Sequence, residues 1–208
     1  MKYKLKICGM KIPANLAEVV ALQPNYIGFI FYPGSKRFIG ELDPSLIKNI
    51  PATIKTTGVF VNEELETVKN AIVTYHLKAV QLHGQESAAY CEALKGYAEV
   101  IKAFGIDESF DFDTLDEYQA YTDYFLFDTQ TPDHGGSGKT FSWQILGNYK
   151  NKKPYFLSGG IGIDQLAELG KIKDESLYAI DVNSKFELSP GLKDTALLSN
   201  FKQGLDKI

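Results

Sequence analysis

Short apolar, β-rich runs recur along the chain and alternate with segments of helical periodicity. The strand-like runs begin near residues 4, 26, 56, 79, 100, 124, 155 and 178, and they read KLKIC, YIGFIF, TTGVFV, AVQLHG, VIKAFG, YFLFDT, YFLSGG and YAIDVN. Apolar residues three and four positions apart predict helices in ANLAEVVALQ, EELETVKNAIVTY, SAAYCEALKG and IDQLAELGKI. Eight strands that alternate with helices indicate an α/β fold with parallel strands. We expect a single-domain (β/α)8 TIM barrel over residues 1–208.

Two connections between the predicted strands are longer than the rest. Strand starts lie 21 to 24 residues apart, except for gaps of 30 after the second strand and 31 after the sixth. The two long gaps open with YPGSKRFIG and QTPDHGGSGKTFSW. Loops that follow the strands build the active site in this type of barrel, so both insertions belong to the functional face. The GGSGKT at 135–140 lacks the spacing of a phosphate-binding P-loop, and we interpret it as a lid.

Composition and charge favour a small molecule as the binding partner. The net charge of −4 offers no basic surface for nucleic acid, and no apolar stretch approaches the roughly 18 residues of a membrane span. Two cysteines do not form a disulfide framework, and the first ten residues, MKYKLKICGM, lack the apolar run of a signal peptide. The expected compartment is therefore the reducing cytoplasm, with no nucleic-acid or membrane partner.

The ends of the first and sixth strands carry a candidate acid–base pair. Cys8 follows the strand KLKI directly, and Asp128 ends the strand YFLFDT. A lone cysteine is more often a small buried apolar residue, and an aspartate after a strand is often only a loop cap. At the mouth of one barrel, however, a thiol and a carboxyl are suited to proton transfer within a single substrate, as in an isomerisation.

Two further groups are predicted to bind anions. Arg37 is the only arginine beside 21 lysines, and it falls in the long loop after strand two, where its planar fork suits a substrate carboxylate. Glycine-rich LSGGIG and the DVNS that ends strand eight occupy the phosphate-binding positions of such barrels. The candidate residues there are Gly159, Gly160, Asn183 and Ser184, and Asp181 of the same motif is a further candidate for substrate binding.

His83 follows strand four and is predicted to shape the pocket as a substrate-binding residue. The three histidines, at positions 76, 83 and 134, have no spacing typical of metal ligands. We therefore expect no metal site and no other cofactor.

Several motifs in order along the chain resemble those of the phosphoribosylanthranilate isomerase family. They are KICGM, GFIFYPGSKRFI, GVFVN, AVQLHG, FDTQTPDHGGSGKTFSW, LSGGI and DVNSKFELSPGLKD. The resemblance implies a cofactor-free (β/α)8 barrel that performs an Amadori rearrangement on a phosphorylated substrate, the third step of tryptophan biosynthesis from chorismate. It also implies that Cys8 is the general base, Asp128 the general acid and Arg37 the ligand of the anthranilate carboxylate.

The sequence departs from the family pattern near both ends and leaves alternatives open. Lys11 stands where the family usually has threonine, while Asn183 and Lys185 replace serine and glycine in the expected phosphate loop. The rival functions are another sugar-phosphate isomerase and a noncatalytic phosphate-binding barrel. The sequence does not distinguish a monomer from a homodimer.

Overall fold

The computed structural model describes residues 3–129 and 143–208, and at its centre eight parallel strands form a closed barrel. Each strand pairs with its neighbour in sequence, and the first pairs with the eighth to close the ring. The strands are β1 (Lys4–Ile7), β2 (Tyr26–Ile30), β3 (Lys55–Phe60), β4 (Ala79–Leu82), β5 (Glu99–Ile106), β6 (Tyr124–Thr129), β7 (Tyr155–Ser158) and β8 (Leu177–Val182). All begin within one residue of the predicted positions, and the predicted barrel is confirmed.

The helices that surround the barrel are shorter than their periodic segments suggest. They are α1 (Pro13–Ala21), α2 (Pro44–Lys48), α3 (Leu65–Tyr75), α4 (Ala88–Glu92), α5 (Leu166–Leu169) and α6 (Thr195–Leu205). Short 3-10 segments occupy Phe112–Tyr118, Trp143–Asn148, Ile163–Gln165 and Ser184–Phe186. The turn after β5 reads FDTLDEY, and its aspartates and aromatic residues are weak helix formers.

No helix in the described part of the chain is both long and apolar enough to cross a membrane. The longest, α3 and α6, have 11 residues each.

The barrel interior combines an apolar cluster with a polar layer. The apolar cluster consists of Tyr26, Ala79, Ile101, Ala103, Leu126, Phe156 and Ala179. Side chains paired in register on neighbouring strands face the same side of a sheet, so the register partners of cluster members also point inward. The buried polar residues among these partners are Lys6, Thr57 and Gln81. Asp181 pairs in register with Lys6, and all four polar residues are buried. The polar layer therefore lies beneath the mouth formed by the carboxyl ends of the strands.

A short hairpin after β8 was not predicted, and it brings charged residues back to the mouth. It consists of β9 (Glu187–Ser189) and β10 (Leu192–Lys193). The side-chain amide of Asn15 on α1 holds the hairpin, since it donates to the Lys193 carbonyl at 3.0 Å and accepts from the Lys193 backbone N–H at 2.7 Å. The first helix and the last strand are thereby fixed to each other.

Candidate active site

Cys8 sits at the end of β1 in a space that two glycines keep open. Its backbone N–H donates to the Val182 carbonyl at 2.9 Å, and its side chain is 5% exposed. A Cβ atom on Gly28 of β2 would lie 2.7 Å from the Cys8 sulfur. A Cβ on Gly9, whose φ is +82°, would lie 2.7 Å from Cδ of Arg37 and 2.8 Å from the Asn183 side chain. The absence of side chains at Gly9 and Gly28 thus allows the loops after β1, β2 and β8 to approach one another around the thiol.

The ionisation of Cys8 depends on opposing influences. Burial is the largest and raises the pKa of the thiol above its ordinary value, while Lys6 lowers it. Asp181 also raises it, and Lys193 lowers it. Burial therefore keeps the pKa of Cys8 above its ordinary value, and the cations Lys6 and Lys193 partly offset this effect.

Asp128 is at the far side of the mouth and contacts His83. Nε2 of His83 lies 3.3 Å from Oδ2 of Asp128, and both side chains are about one-third exposed. Nδ1 of the same ring lies 2.8 Å from the amide nitrogen of Gln81, a member of the polar layer. An amide nitrogen donates, so Nδ1 accepts and the neutral ring carries its proton on Nε2, towards Asp128. The structure thus brings together His83 and Asp128, which the sequence placed separately at the mouth.

A buried ion pair secures the loop that carries His83. The Glu86 carboxylate accepts from the backbone N–H groups of Asn62 at 2.8 Å and Gly84 at 3.0 Å, and from the Lys102 ammonium at 3.1 Å. Lys102 also donates to the Gly84 carbonyl at 2.8 Å. The loops after β3 and β4 are consequently tied to β5 immediately beside the catalytic candidates.

Arg37 reaches the mouth from the loop after β2, where an acidic residue of the same chain orients it. Its Nε lies 2.9 Å from both carboxylate oxygens of Glu187, and its Nη2 donates to Oε2 at 2.5 Å. The buried Lys193 ammonium donates to the same carboxylate at 2.9 Å and to the Asn183 side chain at 2.7 Å. The end of the guanidinium that carries Nη1 takes no part in the contact with Glu187.

The predicted phosphate-binding loops lie side by side after β7 and β8. Gly159 and Gly160 have φ values of +106° and +64°, which favour glycine. A Cβ on Gly160 would have no neighbour within 4 Å, so this backbone is open on one side. Ser184 is exposed at the start of a 3-10 turn, next to Asn183.

Asp181 occupies a different position from its neighbours in the DVNS motif. Its Oδ2 accepts from the Lys6 ammonium at 2.8 Å in the polar layer, below the loops. Lys6 is fully buried. The partner of Asp181 is therefore a residue of the barrel interior.

Sequence reasoning missed four charged or polar residues of this site: Lys6, Gln81, Glu187 and Lys193. Each lies in or beside one of the motifs quoted above, but Asp181, the partner of Lys6, and Arg37, the partner of Glu187, lie 175 and 150 positions away in the sequence. Only the alternation along β1, which puts Lys6 on the same face as Cys8, could have revealed one of them. The predicted lid at 135–140 and His134 lie outside the described residues.

The arrangement has the components of cofactor-free acid–base chemistry on an anionic substrate. A thiol and a carboxyl occupy the mouth of one barrel, a guanidinium stands beside the thiol, and open glycine backbone lies on the neighbouring strands. Proton transfer between two such groups needs no metal when the substrate itself can delocalise the developing charge.

Comparison with known proteins gives matches over nearly the whole chain. The sequence profile of the family described as N-(5'phosphoribosyl)anthranilate (PRA) isomerase matches residues 5–204. The N-(5'-phosphoribosyl)anthranilate isomerase of Parabacteroides distasonis is 44% identical over 203 residues, which cover 96% of this chain and 91% of that relative.

Solved structures give the same result. The fold is similar to phosphoribosyl anthranilate isomerase from Thermotoga maritima, with a TM-score of 0.88, 33% identity, and coverage of 99% of this chain and 100% of that one. A phosphoribosyl anthranilate isomerase in complex with reduced 1-(o-carboxyphenylamino)-1-deoxyribulose 5-phosphate matches with a TM-score of 0.84 and 29% identity, again with 99% and 100% coverage.

Proposed function

The chain belongs to the N-(5'-phosphoribosyl)anthranilate isomerase family, and from this premise we propose how its residues divide the reaction. The enzyme converts N-(5'-phosphoribosyl)anthranilate to 1-(2-carboxyphenylamino)-1-deoxyribulose 5-phosphate in tryptophan biosynthesis. The reaction opens a ribose ring and moves hydrogen from C2′ to C1′, so it needs an acid and a base at different atoms of one substrate.

Asp128 is the general acid of this proposal, and Cys8 is the general base. Asp128 gives a proton to the furanose ring oxygen, the bond from that oxygen to C1′ breaks, and the nitrogen lone pair forms a protonated imine. The Cys8 thiolate then takes the C2′ proton, and the electron pair moves to the imine, giving an enolamine that tautomerises to the ketone. The imine provides the electron sink, so no cofactor is required.

The observation that supports these roles is the position of the two groups, since the thiol and the carboxyl both lie at the mouth of the barrel. Cys8 is buried among cations at the end of β1, and Asp128 contacts His83 at the end of β6, three strands away around the ring. His83 holds Oδ2 of Asp128, which supports a role in aiming the acid at the ring oxygen. A noncatalytic phosphate-binding barrel would need neither group.

Arg37 binds the anthranilate carboxylate through the end of its guanidinium. Glu187 occupies the side that carries Nε, so Nη1 and the outer N–H of Nη2 are the edge that faces a ligand. Such an edge forms two parallel hydrogen bonds with a carboxylate. Glu187 fixes the direction of this edge, which supports recognition of a planar aromatic acid.

The substrate phosphate binds at the backbone of Gly159 and Gly160 and beside Asn183 and Ser184. The positive φ values of both glycines and the open side of Gly160 support close approach of an anion to the backbone. Direct contact of Asp181 with substrate has less support, since its carboxylate is 5% exposed and bonded to Lys6. A single catalytic domain over residues 1–208, as a monomer or a homodimer, stays a prediction.

One experiment tests the division of roles. Purified protein should abolish the fluorescence of phosphoribosylanthranilate as it converts the substrate. With substrate deuterated at C2′, the wild-type rate of proton abstraction should fall while ring opening is unaffected. If Cys8→Ser retained the wild-type rate and isotope effect, another group would be the base.

A further inference from the structure

The side chain directly below the proposed base is a lysine. Lys6 lies on β1 and Cys8 directly follows the end of that strand, two residues on, so both face the barrel interior, with Lys6 one layer deeper. Lys6 is fully buried, and its ammonium is held by Oδ2 of Asp181 at 2.8 Å across the β1–β8 seam. A buried lysine needs a compensating anion, and Asp181 supplies one.

The strand β2 has no side chain beside the thiol. Gly28 occupies that strand at the level of Cys8, and a Cβ there would lie 2.7 Å from the sulfur. The Lys6 ammonium interacts with the Cys8 thiol as well as with Asp181. Oδ1 of Asp181 is buried and has no hydrogen-bond partner in the described part of the chain, so the Lys6 ammonium is the only charged group bonded to this carboxylate there.

The charges around the thiol do not balance when the thiol is neutral. Within residues 3–129 and 143–208, the cations that act on Cys8 are Lys6 on β1, Lys193 on β10 and Arg37 in the loop after β2. The carboxylates paired with them are Asp181 on β8 and Glu187 on β9. Three cations and two anions leave one positive charge, which an ionised Cys8 would neutralise.

Resting on the proposed role of Cys8 as base, we propose that Lys6 is the cation that stabilises the thiolate form of Cys8 when the thiol loses its proton, and that Asp181 positions Lys6. Neither residue needs to touch the substrate in this role, so both are positioning residues. Lys6 is fully buried on the same face as Cys8, and among the cations it has the largest lowering effect on the pKa of the thiol. Catalysis by a buried thiol then depends on an ion pair in the polar layer beneath the pocket.

Lys6 and Asp181 should shift the pKa of Cys8 in opposite directions. Burial raises the pKa of Cys8, Lys6 lowers it and Asp181 raises it. Loss of Lys6 should therefore raise the pKa of the thiol further. Loss of the Asp181 charge should lower it, because the full positive charge of Lys6 is then available to the sulfur. The remaining titratable groups that face the pair, Asp128 and His83, act on Asp181 from across the mouth.

The test is a direct titration of the thiol by NMR in protein labelled with 13C at the cysteine Cβ. Two signals are expected, and Cys8→Ser assigns them, leaving Cys91 as an internal reference. Lys6→Met should move the Cys8 midpoint up by about 1 to 3 pH units, the usual size of a close charge effect, and Asp181→Asn should move it down. The acidic limb of the kcat/KM profile should move with each midpoint. Lys4→Met removes the same charge from an exposed site on the same strand, and it should change neither the Cys8 midpoint nor the acidic limb of the kcat/KM profile.

A double variant serves as the control for a folding defect in Lys6→Met. Lys6→Met alone buries an unpaired carboxylate, so Lys6→Met/Asp181→Asn removes both charges and should still raise the Cys8 midpoint relative to Asp181→Asn. Unchanged midpoints, or shifts in the same direction for both single variants, would overturn the proposal for Lys6. That outcome is separate from the role of Cys8, which is lost only if Cys8→Ser remains active.

Discussion

Arg37 lies edge-on against Glu187, with Nε within 2.9 Å of both carboxylate oxygens and Nη2 bonded to one of them at 2.5 Å. An arginine has two edges that can pair with a carboxylate, and this contact uses one of them within the protein. The other edge is thereby given a fixed direction. Lysine has no such geometry, because its ammonium is a point charge on a flexible chain.

Arg37→Lys should weaken binding of the anthranilate carboxylate specifically. The variant keeps the charge but loses the parallel hydrogen bonds, so the Kd should rise about 10- to 150-fold, which corresponds to roughly 1.5–3 kcal/mol. A phosphorylated analogue that lacks the carboxylate should bind variant and wild type equally in a calorimetric titration. Lys36→Met, next to Arg37 and exposed, is the matched control. Equal losses for both ligands would assign Arg37 to the phosphate instead.

Glu187→Gln should alter the dependence of stability on pH. Burial would raise the pKa of Glu187, but hydrogen bonds from Arg37 and Lys193 bring it below its ordinary value of 4.5. A carboxyl with a lowered folded-state pKa stabilises the fold above its unfolded value, and this contribution is lost as the pH falls through the folded-state pKa. Denaturant unfolding should therefore show a smaller loss of stability in the variant than in wild type as the pH drops below 4.5. Parallel curves would mean that Glu187 has no such linkage.

Cys8→Ser and Asp128→Asn should each lose about 10²- to 10⁴-fold in kcat, the usual contribution of a proton-transfer group. Both should keep the wild-type circular dichroism spectrum. Cys91→Ala removes the other buried thiol, which packs in the outer core, and should retain activity in the fluorescence assay. Near-native turnover in either of the first two variants would remove that residue from the mechanism.

Chelation should have no effect on turnover. The imine formed from the substrate stabilises the negative charge that a metal would otherwise accept. Incubation with EDTA followed by the fluorescence assay is the measurement. Loss of activity that an added divalent metal restores would require a different mechanism.

Lys102→Met should destabilise the fold by about 3–5 kcal/mol, because it leaves the buried Glu86 carboxylate without its cation. Chemical denaturation measures the loss. Lys171→Met breaks an exposed pair with Glu168 and should change stability by less than about 1 kcal/mol. If the two variants were equally stable, the buried pair would not hold the loops after β3 and β4.

The strands and the main catalytic candidates were predictable because their signals are local. Runs such as YFLFDT combine β-forming residues with a polar residue at the end, which places Asp128 at the mouth without knowledge of any partner. Lys6 was missed although the alternation along β1 puts it on the same face as Cys8. The pattern KLKI also fits a strand with one face in solvent, and only barrel closure turns that face inward. Glu187 was hidden because 150 residues separate it from Arg37 and its hairpin strand has three residues.

The pairing of β1 with β8 also determines at which stage of its synthesis and folding the protein can become active. The Lys6–Asp181 pair spans 175 positions of the chain, so a nascent polypeptide carries Cys8 long before it gains Asp181. Contacts this distant in sequence form late and slow folding. A ribosome-bound barrel that still lacks β8 would have an open edge and an incomplete site. Activity should therefore appear in one step, when β8 pairs with β1.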